Sequence, residues 1–136
     1  MKDNLPVVLN VYKIAENSIL DRMGVNLYHT AIEFDNREYS FGFIDKKEVS
    51  GVYDIIPMSY DEGSFVESIN LGVVNRRKFF VKLEELKKIY IGSSYSLLTK
   101  NCNHFTNDFV KLLFDKEIPD QYAIFLKFGE FLRNIF

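Results

Sequence analysis

The sequence predicts an α+β domain, because strand-like segments fill the first half of the chain and helix-like segments follow them. Up to about residue 72, short β-branched or alternating apolar runs are separated by turn residues, which is typical of antiparallel strands. From about residue 76 onwards, apolar residues recur at helical spacing. A chain of 136 residues is long enough to bury one core, so we expect residues 1–136 to form a single domain.

Five strands are predicted, from their β-branched and aromatic content and their alternation. They cover residues 7–12, 25–34, 37–41, 51–56 and 66–72. Asp35 and Asn36 form a turn signal between the second and third strands, so we expect these two strands to pair as a hairpin.

Two helices and a C-terminal segment are predicted after the strands. The first helix covers residues 76–90, with an apolar side formed by Phe79, Phe80, Leu83, Leu86 and Ile89. The second runs from Asn101 to about Asp115. Residues 121–136 carry a wide apolar arc, which we interpret as a C-terminal helical extension packed on the domain. A homodimer contact or a membrane-surface contact is the alternative for this arc.

Composition excludes several classes of function. The net charge of −2 gives no reason to expect nucleic acid as a partner. The single cysteine cannot form an internal disulfide and falls short of a metal site, so we expect no metal and no cofactor, and a reducing compartment such as the cytoplasm or the nucleus. The first residues lack the apolar core of a signal peptide, and no run approaches the roughly 18 apolar residues of a membrane span.

The single cysteine lies at the predicted start of the second helix. Asn101 is a good N-cap residue, which puts Cys102 in the first turn, where free N–H groups and the helix dipole favour a thiolate. At about 100° per residue, Phe105 and Phe109 fall on the side of Cys102, whereas His104 falls on the opposite side. We therefore expect Cys102 to face the sheet. A buried cysteine is, however, more often inert than reactive.

The chain has two histidines, and the more distant one is the better candidate partner for Cys102. His104 is only two residues away, and residues two apart on a helix do not meet, so it is expected to be a surface or helix-start histidine. His29 lies in the second strand on the same face as Ala31, whose small side chain leaves room for a helix to approach. From the residues alone, a histidine satisfied within a structural network is the favoured interpretation of His29.

Four segments of the sequence carry motifs in a fixed order. They are Tyr28-His29-Thr30-Ala31-Ile32 followed by Glu38-Tyr39-Ser40-Phe41-Gly42; Gly51-Val52-Tyr53; Lys100-Asn101-Cys102-Asn103-His104-Phe105-Thr106-Asn107; and Lys116-Glu117-Ile118-Pro119. Together they resemble the PPPDE (or DeSI) family of circularly permuted papain-like cysteine peptidases, in which the histidine precedes the cysteine. The resemblance covers about residues 7–119. It implies a small antiparallel β-sheet or barrel packed against a helical subdomain that carries the nucleophile.

The resemblance also implies an activity and its residues. It assigns Cys102 as the nucleophile and His29 as the general base and acid of a cysteine-type hydrolase, an isopeptidase or peptidase that acts on SUMO or ubiquitin conjugates. The N–H of Cys102 is the expected oxyanion donor, with Asn101 and Asn103 as candidate supporting donors, although Asn101 is more simply an N-cap. No residue is identified as the orienter of His29.

Two alternative functions stay open. The first is a protein S-acyl thioesterase that uses the same two residues with an apolar groove for the acyl chain. The second is a binding module without turnover, which a Cys102 pKa near the free value of about 8.5 would favour.

Overall fold

The computed structural model describes residues 3–14, 22, 24, 26–123 and 126, and it confirms the α+β order. Its strands are β1 (Asn4–Ile14), β2 (Tyr28–Phe34), β3 (Arg37–Phe41), β4 (Val52–Ile55) and β5 (Gly63–Asn75). Helices α1 (Arg76–Ile89) and α2 (Cys102–Phe114) follow, with 3₁₀ turns at Gly92–Ser94 and Asp120–Tyr122. Both β1 and β5 are longer than predicted because they pair along their whole length, from Asn4 opposite Asn75 to Ile14 opposite Gly63.

The five strands form one antiparallel sheet in the order β4-β3-β2-β1-β5. The predicted hairpin between β2 and β3 is confirmed. Its turn places Asp35 at φ 48° and Asn36 at φ 64°. Positive φ at both central residues matches the twist of the flanking strands, and Asn and Asp tolerate this conformation better than most residues.

One face of the sheet packs against both helices. Phe34 of β2 stacks on Phe79 of α1 with ring centroids 4.0 Å apart, and Phe109 of α2 lies 4.8 Å from Phe79. The apolar side predicted for α1 is confirmed at Phe79, Leu83 and Leu86, which are buried. Of the other two predicted members, Phe80 is half-buried, and Ile89, the last residue of the helix, is 57% exposed. We call this side of the sheet the helix-side face.

The opposite side of the sheet, which we call the polar face, buries polar side chains. The hydroxyl of Tyr12 donates to Glu38 Oε1 at 2.8 Å, and Glu38 is only 1% exposed. The backbone N–H of Met58, in the loop between β4 and β5, donates to Glu38 Oε2 at 3.0 Å. This bond ties the loop of residues 56–62 to the polar face.

The predicted C-terminal extension, residues 121–136, lies largely outside the described residues. At its start, Tyr122 packs edge-on against Tyr28 with ring centroids 4.8 Å apart, and its hydroxyl bonds to Glu67 of β5. The chain that leaves α2 therefore returns to the sheet beside the first residue of β2. Within the described part of the chain, none of the helices is long and apolar enough to cross a membrane.

Candidate active site

Helix α2 begins with the predicted N-cap. The side-chain oxygen of Asn101 accepts hydrogen bonds from the backbone N–H groups of Asn103 at 2.9 Å and His104 at 3.2 Å. In return, His104 Nδ1 accepts from the backbone N–H of Asn101 at 3.0 Å, which completes a capping box. The side-chain Nδ2 of Asn101 donates to Leu97 O at 2.7 Å. Both ends of the Asn101 amide are therefore engaged in structure, which leaves it poorly suited to hold an oxyanion.

The start of α2 docks against the start of β2. The pairing of β2 with β3 extends only to Ile32 opposite Tyr39, and α2 lies beside the residues of β2 that precede this point. Asn103 Nδ2 donates to Tyr28 O at 3.0 Å, while Thr30 Oγ1 donates to Asn103 Oδ1 at 2.6 Å. Thr30 Oγ1 also lies 2.6 Å from Thr106 Oγ1. The Asn103 side chain thus fastens the cysteine turn to β2.

These contacts correct one expectation. We expected the helix to approach the face of β2 that carries His29 and Ala31, but α2 packs on the helix-side face, which carries Thr30. The reason is chemical: Thr30 offers a hydroxyl that pairs with two polar side chains of α2, whereas the other face is occupied by the loop that carries Tyr60.

Cys102 is buried at this junction, with 6% of its surface exposed. Burial is the largest influence on its thiol and raises the pKa to about 11, while the backbone groups of Thr30, Asn103 and Cys102 itself act in the opposite direction. The backbone groups at the helix start therefore do lower the pKa of Cys102, as expected, but burial raises it by more. Because Thr30 directly follows His29, the thiol lies beside the His29–Thr30 peptide bond.

His29 is buried on the polar face and is covered by an aromatic ring. Its imidazole stacks on Tyr60 with centroids 4.1 Å apart and an angle of 3° between the planes, and it lies 5.9 Å from the ring of Tyr12. Burial lowers the pKa of His29 to about 4. At neutral pH the free site therefore holds a neutral imidazole and a neutral thiol.

Three tyrosines from separate segments lie within electrostatic reach of the thiol. Burial raises the pKa of Tyr53 and of Tyr95 to about 12, and it raises the pKa of Tyr60 as well. In all three cases the negative charge of an ionised Cys102 contributes to the rise. Tyr60 therefore contacts His29 and is also within electrostatic reach of Cys102. Tyr60 and the backbone of Thr30 therefore lie near both predicted site residues, Cys102 and His29.

His104 lies on the other side of α2, as the helical angle predicts. It lines a cavity of about 420 Å³ together with Asp108 and Lys111 of the same helix, and Cys102 is not among the residues of that wall. The predicted helix-start role of His104 is confirmed by the capping box.

Sequence reasoning did not identify Tyr60 as part of this site. It lies in a polar loop next to Asp61 and Glu62, where no periodicity connects it to the strand of His29. The backbone group of Thr30 was also missed, because a main-chain donor leaves no signal in side-chain identity.

Comparison with known proteins gives one family match. A family model described as the PPPDE putative peptidase domain matches residues 5–132.

Three curated proteins are similar to the chain. A DeSI-like protein of Arabidopsis thaliana is 36% identical over 129 residues, which cover 93% of this chain and 57% of that protein. The DeSI-like protein sdu1 of Schizosaccharomyces pombe is 34% identical over 110 residues, 76% of this chain and 55% of that protein. A desumoylating isopeptidase 1 homolog of Caenorhabditis elegans is 32% identical over 120 residues, 83% of this chain and 36% of that protein. The chain thus spans little more than half the length of the first two relatives and about a third of the third.

Proposed function

The chain belongs to the PPPDE family, and we propose that it is a cysteine hydrolase in which Cys102 is the nucleophile and His29 is the general base. One observation carries the proposal: the thiol at the start of α2 lies beside the peptide that links His29 to Thr30. The stack of Tyr60 on His29 supports the same assignment, because Tyr60 is also within electrostatic reach of Cys102.

The shifted pKa values favour proton transfer during the reaction over a preformed ion pair. A His29 pKa near 4 leaves the imidazole neutral and able to accept a proton at pH 7, and a Cys102 pKa near 11 keeps the thiol protonated until then. In the proposed reaction, His29 accepts the thiol proton as the sulfur attacks the carbonyl carbon of the scissile bond. The imidazolium then protonates the leaving amine as the C–N bond breaks, and water hydrolyses the resulting thioester.

The oxyanion of the tetrahedral intermediate needs donors close to the sulfur. The backbone N–H of Cys102 is the first, because the Asn101 side chain takes the N–H groups of Asn103 and His104 instead. We propose the backbone N–H of Thr30 as the second, since the Thr30 backbone already acts on the thiol and lowers its pKa. Asn103 has a supporting role in this scheme, because its side chain holds β2 against α2.

The proposed substrates are isopeptide or peptide bonds at the C-terminus of ubiquitin-like proteins. Support comes from the Caenorhabditis elegans relative, which is named as a desumoylating isopeptidase homolog. SUMO conjugates are therefore the first substrates to test, and ubiquitin conjugates the second.

One observation favours a rival without turnover. The pKa of Cys102 is raised by burial, whereas reactive cysteines usually have lowered values. A binding module would keep the cleft and leave the thiol inert.

A panel of SUMO and ubiquitin C-terminal electrophile probes tests the proposal. We expect the wild type to be labelled at Cys102, labelling to be lost in Cys102→Ser and reduced about 10²-fold or more in His29→Ala, and His104→Ala to behave like the wild type. Absence of both probe labelling and acyl-thioester turnover in the wild type supports the binding module. Turnover of an acyl thioester without labelling by either probe supports the thioesterase.

A further inference from the structure

Within the described part of the chain, the His29 ring has no polar partner of the kind that usually orients a catalytic imidazole. Among the residues that the structure describes, none forms a hydrogen bond with a ring nitrogen of His29. Glu38 is the buried carboxylate of the polar face, but its oxygen atoms accept from the Tyr12 hydroxyl and the Met58 N–H. The contacts of the imidazole are instead aromatic, with Tyr60 stacked on its face and Tyr12 tilted against it.

The position of Tyr60 is itself fixed by the loop and by the strand that follows it. The Met58 N–H bond to Glu38 anchors the loop two residues before Tyr60. Three residues after Tyr60, Gly63 begins β5 opposite Ile14 of β1. A Cβ at Gly63 would lie 2.4 Å from the carbonyl oxygen of Lys13 and 3.2 Å from the Tyr60 ring. The glycine thus gives the strand and the ring the room that this arrangement needs.

We propose that Tyr60 is a positioning residue for His29: its ring, stacked on the imidazole, takes the place of a third polar residue and holds His29 in the orientation that serves Cys102. This inference rests on the proposed function. A parallel ring at 4.1 Å restricts rotation of the imidazole about its broad, two-fold χ2 angle. It also keeps water from one face of the imidazole.

The same stack acts on the protonated form of His29. An aromatic face within about 6 Å attracts a cation, so the Tyr60 ring stabilises the imidazolium that forms when the thiol proton is transferred. This attraction partly compensates for the burial that disfavours the charge. The ring provides it whether or not a hydroxyl is present, so phenylalanine is expected to replace Tyr60.

Two substitutions at Tyr60 separate the ring from its hydroxyl. Tyr60→Phe keeps the stack, and Tyr60→Leu removes the aromatic face but keeps an apolar side chain. The readouts are the steady-state constants and the pKa of His29 from the NMR signals of its ring. Assignment is simple because the chain has only two histidines, and His104→Ala identifies the other one.

We expect Tyr60→Phe to stay within about twofold of the wild type in kcat and to keep the pKa of His29. In Tyr60→Leu, kcat falls about 10- to 100-fold with little change in KM. Loss of the ring removes its attraction for the imidazolium, but burial is the cause of the lowered pKa, so access of water outweighs that loss and the pKa of His29 rises from about 4 towards 6.5. Tyr95→Leu is the matched control, because Tyr95 lies near the thiol and packs against Phe41. It is expected to leave the pKa of His29 unchanged.

Two results would overturn the inference. One is an unchanged His29 pKa in Tyr60→Leu, and the other is an equal loss of kcat in Tyr60→Phe and Tyr60→Leu, which would assign the effect to the hydroxyl. The NMR readout needs no turnover. A wild type that no probe labels therefore contradicts the proposed function, whereas a raised His29 pKa in Tyr60→Leu still supports the contact between Tyr60 and His29.

Discussion

The two faces of the sheet bury side chains of opposite character. On the helix-side face, four phenylalanine rings are at most 1% exposed and contact one another in a row, with one stacked, one tilted and one edge-on pair: Phe34, Phe79, Phe109 and Phe105. On the polar face, the buried side chains include Asn10, Tyr12, His29, Glu38 and Ser40. The helix-side face resembles an ordinary aromatic core, whereas the polar face keeps titratable groups out of water.

The comparison shows how the site is assembled. Cys102 comes from the helix that covers one face, His29 belongs to the other face, and the thiol lies beside the peptide that links His29 to Thr30. Neither face alone contains both groups. The helix-side core sets where α2 begins, and the polar face, with its loop, sets where the imidazole is held. Substitutions on the two faces should therefore affect different properties.

The largest effect on stability is expected on the helix-side face. Phe109→Ala removes a fully buried ring that contacts Phe79 and Phe105, so it should lower the free energy of unfolding by about 3–5 kcal/mol. Val73→Ala, at a position that is 61% exposed, is the control and should cost less than about 1 kcal/mol. Urea denaturation measures both. Equal costs at the two positions would mean that the aromatic core is not the main source of stability.

His29, on the polar face, should make the free energy of unfolding change by about 3 kcal/mol with pH. The pKa of His29 is near 4 in the folded protein and near 6.5 in the unfolded chain. Between pH 4 and 6.5 the unfolded chain binds more protons than the folded protein. The contribution of His29 to the free energy of unfolding is therefore fully present above pH 6.5 and is lost as the pH falls towards 4. Since one pKa unit corresponds to about 1.4 kcal/mol, the full loss is about 3 kcal/mol.

Substitution of His29 isolates this contribution from that of the carboxylates. In His29→Gln, the free energy of unfolding should fall less steeply between pH 6.5 and 4 than in the wild type, while the slope above pH 6.5 stays the same. Denaturant titrations at several pH values give both slopes. Identical slopes in the two proteins would show that the burial of His29 has no energetic consequence.

An intermediate effect is expected where the two faces meet. Asn103→Ala removes the hydrogen bond to Tyr28 O and leaves the Thr30 hydroxyl with one partner fewer, which should cost about 2 kcal/mol. Labelling of Cys102 should fall as well, because the cysteine turn is no longer fastened to β2. Asn107→Ala is a matched control on the same helix, since its side chain accepts from the backbone N–H of Ile118 at 2.9 Å. It should reduce stability but not labelling; an equal loss of labelling in both would assign the effect to general loosening of α2.

The smallest effect is expected at His104. His104→Ala removes one bond of the capping box, while Asn101 still caps the helix, so the cost should be about 0.5–1 kcal/mol with activity retained. Thermal unfolding and probe labelling measure the two quantities. If His104→Ala lost as much activity as His29→Ala, the assignment of His29 rather than His104 as the histidine of the site would be wrong.

Local features of the fold were predictable from the sequence. The hairpin between β2 and β3 followed from Asp35 and Asn36, and the start of α2 followed from Asn101, because each signal acts within a few residues. The prediction that Cys102 and His104 lie on opposite sides of α2 required only the angle of about 100° between successive helical residues. The lengths of β1 and β5 were underestimated, since their ends are stabilised by each other and not by local alternation.

The remaining features depend on contacts that are distant in sequence. The side of β2 that α2 covers is decided by Thr30 and Asn103, which are 73 positions apart. The pKa of Cys102 was expected to fall because the helix start was considered without the burial around it, and burial is a property of the whole fold. Tyr60 reaches His29 because Glu38 anchors its loop and β5 begins directly after it, and no sequence pattern indicates either contact.

The rate at which a small electrophile alkylates Cys102 tests the central claim most directly, because it requires no choice of substrate. With iodoacetamide at pH 7, we expect His29→Ala to react at least about tenfold more slowly than the wild type, since the imidazole no longer accepts the thiol proton. His104→Ala should stay within about twofold of the wild type. Equal rates in His29→Ala and the wild type would contradict the assignment of His29 as the base that activates Cys102.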